Sequence, residues 1–283
     1  MNRIAVVGAG TMGHGIAQVA AVAGYDTLLT DTRPEALDAA VRQINENLNG
    51  AVQRGKLTRE AAHDARNRIG VDPELNYVVQ GADLVIEAVV EDLEVKRALF
   101  RTLDTLLPPA AILATNTSSL SIARIADATG YPERVVGMHF FNPVHIMKLV
   151  EIVSHPGSDP AVVERVREVA VRMGKEPIVV RDSLGFASSR LGVVLGLEAM
   201  RMLEEGVASA EDIDKAMTLG YGHPMGPLEV TDLVGLDVRL AIGEYLHQEL
   251  KLPHYEPPEV LQRKVRAGEL GQKTGKGFYD WPK

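Results

Sequence analysis

The chain has 283 residues, carries a formal net charge of -8 at pH 7, and is 46% hydrophobic and 24% charged. This composition is ordinary for a globular protein, and the acidic balance argues against a nucleic-acid partner. The absence of cysteine excludes disulfides, thiolate catalysis and cysteine metal ligands, and it fits a reducing cytoplasm. No apolar run approaches the roughly 18 residues that span a membrane, and no metal-binding motif is recognisable. We therefore predict a cytoplasmic protein with no membrane contact and no metal.

The first part of the chain, over residues 1–182, alternates short apolar runs with segments of helical periodicity. The predicted helices include 13–23, a long segment after Pro34, and 93–107. The predicted strands cover 4–7, 27–30, 82–89, 111–114, 135–139, 148–153 and 177–180. Continuous apolar strands that alternate with helices form a parallel sheet covered on both faces. Residues 1–182 are therefore predicted to form a doubly wound α/β domain.

The pattern changes in residues 183–283, where helical periodicity dominates. Helices are predicted over 188–205, 210–219 and 228–250, and the one further strand considered is 277–281. An all-α domain of this size with such apolar helices often needs a partner surface. We therefore expect a helical substrate and dimerisation domain, and a homodimer.

A glycine-rich motif, G-x-G-x-x-G, lies directly after the first predicted strand and opens the first predicted helix. Asp31 follows at the end of the next strand, where an acid would bond the ribose hydroxyls and repel the 2′-phosphate of NADP. The helix N-terminus would face the pyrophosphate. This context predicts a Rossmann-type domain that binds NAD through the motif residues Gly8, Ala9, Gly10, Thr11, Met12 and Gly13.

A histidine and a carboxylate stand on two consecutive predicted strands, His139 at the end of one and Glu151 in the next. If the two strands return alongside each other, Glu151 would fix the tautomer of the imidazole and raise its basicity. The second ring nitrogen could then take a proton from a substrate alcohol. From the spacing alone, a histidine that is merely a satisfied polar group remains the alternative.

Several longer motifs resemble the L-3-hydroxyacyl-CoA dehydrogenase family, including its 3-hydroxybutyryl-CoA members, from Arg3 to Tyr279. The resemblance implies fatty acid metabolism and a hydride transfer between NAD and C3 of a 3-hydroxyacyl-CoA, with a short acyl chain. The matching segments are GMHFFNP at 137–143, EAVVEDLEVK at 87–96, NTSSL at 116–120, DID at 212–214, GYGHPMGP at 220–227 and KTGKGFY at 273–279.

The resemblance also implies roles for individual residues. His139 would be the catalytic base, Glu151 its orienting acid, and Ser118 a contact to both substrate and nicotinamide. Further cofactor contacts are implied at Glu91, Lys96, Asn142 and Lys273, and coenzyme A contacts at Arg54 and, more weakly, Lys56.

One segment departs from the family, which usually reads DTPGFIVNR where this chain reads DSLGFASSR over 182–190. Ser189 stands where the family has an active-site asparagine, so that residue's role does not transfer directly. A serine hydroxyl can still donate a hydrogen bond, and we expect Ser189 to belong to the catalytic site. Two alternatives remain open: a dehydrogenase of a free hydroxy or sugar acid, and a non-catalytic NAD-binding protein similar to lens crystallins.

Overall fold

The computed structural model describes residues 1–282 and divides the chain into two units, Met1–Phe186 and Ala187–Lys283. The division falls four residues beyond the domain boundary predicted between 182 and 183.

The first unit is built on one eight-stranded sheet with the order β3-β2-β1-β4-β5-β6-β7-β8. All neighbouring strands are parallel except β6 and β7, which are antiparallel. The strands are β1 (Arg3–Val7), β2 (Asp26–Thr30), β3 (Ile69–Val71), β4 (Leu84–Glu87), β5 (Ile112–Thr115), β6 (Val135–Phe140), β7 (Leu149–Ser154) and β8 (Glu176–Arg181).

Helices cover both faces of this sheet, because alternate side chains of a strand point to opposite faces. In β1, Ile4 and Val6 pack into one apolar cluster, whereas Ala5 and Val7 pack into another. The predicted doubly wound α/β arrangement is therefore confirmed. The helices are α1 (Thr11–Val22), α2 (Pro34–Gln53), α3 (Arg59–Asn67), α4 (Leu75–Val79), α5 (Leu93–Leu106), α6 (Ile122–Ala126) and α7 (Pro160–Arg172), and a 3-10 turn covers Pro132–Arg134.

The second unit contains helices and no named strand within its described part, residues 187–282, as predicted. The helices are α8 (Ser188–Glu204), α9 (Ala210–Gly220), α10 (Pro227–Val234), α11 (Leu236–Leu250) and α12 (Glu259–Arg266), with 3-10 turns at Pro253–Tyr255 and Gln272–Thr274. The strand considered at 277–281 is reduced to isolated bridges, including one between Lys276 and Asp280.

The prediction of one helix over 228–250 is wrong. The helical conformation is interrupted at Gly235, whose φ of 102° lies outside the helical region. A Cβ at this glycine would lie 3.0 Å from both Asp237 Oδ1 and Lys273 Nζ, so the break is also tightly packed. Periodicity alone did not reveal it, because the apolar pattern continues through the break.

Two buried carboxylates hold the second unit together. Asp232 accepts hydrogen bonds from the backbone N–H groups of Phe278 and Tyr279 and from the indole of Trp281, at 2.8 to 2.9 Å. A Cβ at Gly277 would come within 2.2 Å of Asp232 Oδ1. This packing explains Gly277, and the hydrogen bonds fix the backbone that follows it.

The second of these carboxylates, Asp214, fixes the 220–227 segment by hydrogen bonding and packing. Its carboxylate accepts hydrogen bonds from the N–H groups of Leu228 and Glu229, each at 2.9 Å, and from the Tyr279 hydroxyl at 2.8 Å. A Cβ at Gly226 would meet Asp214 at 2.2 Å. The segment is thus a structural turn that starts α10.

No helix within residues 1–282 is both long and apolar enough to cross a bilayer. Residues 1–282 contain no group of three or more histidine, aspartate or glutamate side chains arranged to hold a metal ion.

Candidate active site

The glycine motif forms the turn between β1 and α1. Gly8 has a φ of 104°, and a Cβ at this position would lie 2.5 Å from the carbonyl oxygen of Ala88. A Cβ at Gly13 would lie 1.7 Å from the carbonyl oxygen of Gly8. Both glycines are therefore required by the chain's own backbone, which passes too closely for any side chain.

Gly10 is different, because no contact within the chain requires a glycine there. A Cβ added at Gly10 would meet no atom within 4 Å. The residue directly precedes α1, which has neither a side-chain cap nor an acidic residue in its first turn. The N–H groups and the positive dipole at this helix end favour a phosphate, which a side chain at position 10 would obstruct. The residues present therefore fit the pyrophosphate of a dinucleotide.

Asp31 connects the end of β2 to this turn. Its Oδ2 accepts a hydrogen bond from the N–H of Ala9 at 2.9 Å, and its Oδ1 accepts one from the N–H of Arg33 at 3.0 Å. The Arg33 side chain is 65% exposed, with its Nε 3.5 Å from the carboxylate. Asp31 thus holds a negative charge beside the glycine turn, which is the position that favours NAD over NADP.

His139 and Glu151 are directly opposite each other in the antiparallel pair β6–β7. His139 Nδ1 and Glu151 Oε2 are 2.7 Å apart, and both side chains are buried. Because the carboxylate can only accept at this contact when ionised, Nδ1 carries a proton and Nε2 is left as the proton acceptor of the neutral ring. The contact satisfies both buried polar side chains, and the role of His139 as a catalytic base stays a prediction.

Aromatic rings and an amide fix the position of the imidazole. The His139 ring centroid lies 4.5 Å from that of Phe141 and 5.7 Å from that of Phe186. Asn116 Oδ1 accepts a hydrogen bond from the N–H of Phe140 at 2.9 Å, which ties the end of β6 to the loop after β5. These contacts limit the rotation of the ring and place the loop close to it.

The loop after β5 carries Ser118 and is held by Glu91 from the loop after β4. Glu91 Oε1 accepts hydrogen bonds from the N–H of Ser118 at 2.8 Å and from the hydroxyl of Thr117 at 2.5 Å. Both loops follow the carboxyl ends of neighbouring parallel strands, where ligands bind in open α/β sheets.

Lys96 lies beneath these loops and is only 1% exposed. Its Nζ is 2.5 Å from Glu87 Oε1 and 3.4 Å from Glu91 Oε2. Glu87 is fully buried, and its other oxygen accepts a hydrogen bond from the Thr115 hydroxyl at 2.6 Å. The geometry makes Lys96 a residue that positions Glu91, while its direct contact with the cofactor stays a prediction.

A group of cationic and imidazole side chains surrounds His145, in the loop between β6 and β7. Burial lowers the pKa of His145, and the nearby Arg54, His14 and Lys175 lower it further. Burial likewise lowers the pKa of Lys175, whose Nζ donates to the carbonyl oxygens of Val144 and Met147. Arg54 therefore contributes to a positive region of the first unit. Lys56, which is exposed as Arg54 is, lies on the loop after α2.

The other predicted site residues are dispersed along the chain. Asn142 is exposed two residues beyond β6, and Ser189 lies in the first turn of α8. Lys273 belongs to the second unit, where its Nζ is 2.5 Å from Asp237 Oδ1. Their predicted contacts with cofactor or substrate remain predictions.

The sequence analysis gave no individual role to four supporting residues: Glu87, Thr115, Asn116 and Thr117. Glu87 bonds to Lys96, Thr117 to Glu91 and Asn116 to the backbone beside His139, while Thr115 bonds to Glu87. Their position at the carboxyl ends of β4 and β5 was the available signal, since that edge collects functional groups in parallel sheets.

The first unit combines a dinucleotide turn, an acid after β2 and a carboxylate-paired histidine at the end of β6. This combination is typical of one class of protein, the nicotinamide-dependent dehydrogenases of alcohols or ketones. Comparison with known proteins narrows this class. Residues 3–183 match the family model for the 3-hydroxyacyl-CoA dehydrogenase NAD binding domain, and residues 185–281 match the model for the C-terminal domain.

The similarity to known proteins extends over nearly the whole chain. A probable 3-hydroxybutyryl-CoA dehydrogenase of Bacillus subtilis is 43% identical, covering 99% of this chain and 98% of the relative. A 3-hydroxyadipyl-CoA dehydrogenase of Escherichia coli is 46% identical, covering 99% of this chain and 59% of the relative. The crystal structure of (S)-3-hydroxybutyryl-CoA dehydrogenase from Ralstonia eutropha is 37% identical, covers 100% of both chains and has a TM-score of 0.96.

The chain belongs to the 3-hydroxyacyl-CoA dehydrogenase family. It is an NAD-dependent oxidoreductase that transfers a hydride between NAD and C3 of a 3-hydroxyacyl-CoA. The free-acid dehydrogenase and the crystallin-like protein, which the sequence left open, are thereby disfavoured.

Proposed function

We propose that His139 is the general base of this dehydrogenase and that Glu151 orients and stabilises it. The observation that carries the proposal is the buried contact of 2.7 Å between His139 Nδ1 and Glu151 Oε2. In the oxidative direction, His139 Nε2 takes the proton of the C3 hydroxyl, and Glu151 stabilises the imidazolium that forms. In the reductive direction, the same nitrogen returns a proton to the C3 oxygen.

Bound NAD supplies the hydride acceptor, and the chain supplies the geometry and the electrostatics. Ser118 is proposed to hold the substrate oxygen near His139, because the Glu91 carboxylate fixes its loop through the Ser118 N–H and the Thr117 hydroxyl. Burial of the His139–Glu151 pair strengthens its electrostatic interaction, since the local dielectric is lower than that of water.

We also propose that the acyl chain is short, with the names of the Bacillus and Ralstonia relatives as support. The positive region that contains Arg54 suits the phosphates of coenzyme A. A cytoplasmic location stays a prediction.

The test is the oxidation of NADH with acetoacetyl-CoA and, separately, with free acetoacetate. We expect turnover of the thioester and a kcat/KM at least about tenfold lower for the free acid. Equal activity with both compounds would contradict a role for coenzyme A in recognition.

A homodimer is proposed through the second unit, which exposes large apolar side chains to solvent. These include Leu191 at 73%, Val207 at 58%, Leu219 at 83% and Tyr221 at 78%. The proposal is that a second copy of the chain covers these side chains, because apolar surface gathered in a patch marks interaction sites. Light scattering at micromolar concentration is expected to give twice the chain mass of 30.6 kDa, and a stable monomer would refute the proposal.

A further inference from the structure

Glu87 is a fully buried carboxylate of the first unit and the last residue of β4. Its Oε1 accepts hydrogen bonds from Lys96 Nζ at 2.5 Å and from the N–H of Val89 at 2.7 Å, and its Oε2 accepts one from the Thr115 hydroxyl at 2.6 Å. An ionised carboxylate accepts hydrogen bonds on both oxygens, so these partners suit the charged form. Since a buried ion pair often adds no net stability, its presence at the carboxyl edge of the sheet points to a functional role.

The ammonium of Lys96 lies between two carboxylates. Its Nζ is 2.5 Å from Glu87 Oε1 and 3.4 Å from Glu91 Oε2, and the Glu87 side chain is fully buried whereas that of Glu91 is 42% exposed. The attraction between opposite charges is stronger at a shorter distance and where water is excluded. Glu87 is therefore the principal partner of Lys96, and the ammonium holds Glu91 less tightly.

This division leaves one oxygen of Glu91 for the loop after β5. Glu91 Oε1 accepts hydrogen bonds from the Thr117 hydroxyl at 2.5 Å and from the N–H of Ser118 at 2.8 Å, while Oε2 faces Lys96. Hydrogen bonds to a charged acceptor are stronger than those between neutral groups. Glu91 therefore fixes the loop that carries Ser118, and the place of Glu91 depends on how closely Lys96 is held elsewhere.

A second route joins Glu87 to the same loop. The Thr115 hydroxyl donates to Glu87 Oε2 and accepts a hydrogen bond from the N–H of Thr117 at 3.3 Å. The N–H of Asn116, between these two threonines, donates to the carbonyl oxygen of Glu87 at 2.8 Å. Glu87 therefore contacts the start of the loop as well as the lysine that faces Glu91.

We propose that Glu87 is a positioning residue for the hydride transfer and that it acts on the reaction through Ser118. The inference rests on the proposed function, in which Ser118 holds the substrate oxygen. Among residues 1–282, Glu87 and Glu91 are the carboxylates within 4 Å of Lys96 Nζ. Removal of the Glu87 charge draws the ammonium toward Glu91, which then turns away from the Ser118 N–H.

The first experiment replaces Glu87 by glutamine, which keeps the shape of the side chain and removes its charge. Glu87→Gln should lower kcat with acetoacetyl-CoA and NADH by about tenfold, the scale of one lost hydrogen bond to a charged group. The pH dependence of kcat should keep its shape, because His139 keeps Glu151 as its partner. Glu94→Gln, at an exposed glutamate of α5, is the matched control and should have the wild-type kcat.

A double-mutant cycle separates a positioning role from a general loss of stability. Ser118→Ala removes the hydroxyl and should itself lower kcat. In the Ser118→Ala background, Glu87→Gln should lower kcat by no more than about twofold, because the group that Glu87 positions is already absent. A loss of about tenfold in both backgrounds would show that Glu87 acts independently of Ser118, and would overturn the inference.

Different results contradict the proposed function and the inference. Wild-type kcat in Ser118→Ala would remove the role of Ser118 in the proposed function, and the inference with it. Wild-type kcat in Glu87→Gln would overturn the inference alone. If Glu87→Gln does not fold, Thr115→Val is compared with Thr115→Ser, since serine keeps the hydroxyl that bonds to Glu87 and valine does not. Thr115→Val should have the lower kcat of the two, by about threefold or more, and equal values would overturn the inference.

Discussion

Replacement of the motif glycines separates cofactor binding from folding. Gly10→Ala adds a Cβ that meets no protein atom within 4 Å, so the chain should fold as before. Its free energy of unfolding should change by no more than about 1 kcal/mol, the usual scale for a residue before a helix. Gly13→Ala instead forces a Cβ to within 1.7 Å of the Gly8 carbonyl oxygen and should cost about 3 kcal/mol or more.

Gly10→Ala, which should leave stability nearly unchanged, is expected to weaken the binding of NADH. The Gly10 Cβ would separate the pyrophosphate from the N–H groups of α1, and one lost bond to a charged group is worth about 1.5–3 kcal/mol. The dissociation constant of NADH should therefore rise by about tenfold or more in Gly10→Ala. Fluorescence titration gives the affinity and thermal unfolding gives the stability. Wild-type affinity in Gly10→Ala, or a loss of stability equal to that of Gly13→Ala, would refute the reasoning.

Three further predictions concern single side chains. The wild-type protein should prefer NADH to NADPH by at least about tenfold in kcat/KM, and Asp31→Ser should narrow that ratio, because the charge beside the ribose is removed; equal use of the two cofactors by the wild type would contradict it. Ser189→Ala should cost about 1–2 kcal/mol in transition-state binding and Ser189→Asn should overfill the site, whereas wild-type kcat and KM in Ser189→Ala would remove Ser189 from the active site. Burial and the hydrogen bond to Asp214 raise the pKa of Tyr279 above its usual value of 10.0. Above pH 10 the folded protein therefore keeps a proton on Tyr279 that the unfolded chain loses, so the contribution of Tyr279 to the free energy of unfolding is full below pH 10 and declines above it. Tyr279→Phe should weaken the fall of the free energy of unfolding with pH in the alkaline range. An unchanged pH dependence would count against this role of Tyr279.

The sequence predicts those parts of the fold that have strong local signals. The apolar runs of β1, β4 and β5 are continuous because both sides of each strand are buried. The glycine motif is recognisable because two of its glycines are fixed by backbone contacts within the turn itself. Strand β3 was missed because it has three residues, too few for a periodic pattern.

Other features depend on contacts that are distant in sequence. The break between α10 and α11 at Gly235 packs against Asp237 and Lys273, and Lys273 lies far along the chain. Helix α12 was missed because its sequence, EVLQRKVR, is mostly polar and only Val260 and Leu261 are buried. The pairing of His139 with Glu151 could be predicted only as a condition, since it required β6 and β7 to be neighbours.

The burial of a charged side chain is also hard to predict from the sequence. The sequences around Lys96 and Arg239 do not distinguish a buried charge from an exposed one, because lysine and arginine are usually found at the surface. Only the fold shows that Lys96 has Glu87 as a partner and that burial alone acts on the pKa of Arg239.

The most direct measurement of the central claim is the kcat of His139→Gln with acetoacetyl-CoA and NADH, alongside the NADH dissociation constant. Loss of the base should lower kcat by on the order of 10²–10⁴ and leave NADH binding unchanged. His63→Gln, at an exposed position of α3, is the matched control and should behave as the wild type does. A His139→Gln protein that keeps more than about a tenth of the wild-type kcat would contradict the assignment of His139 as the general base.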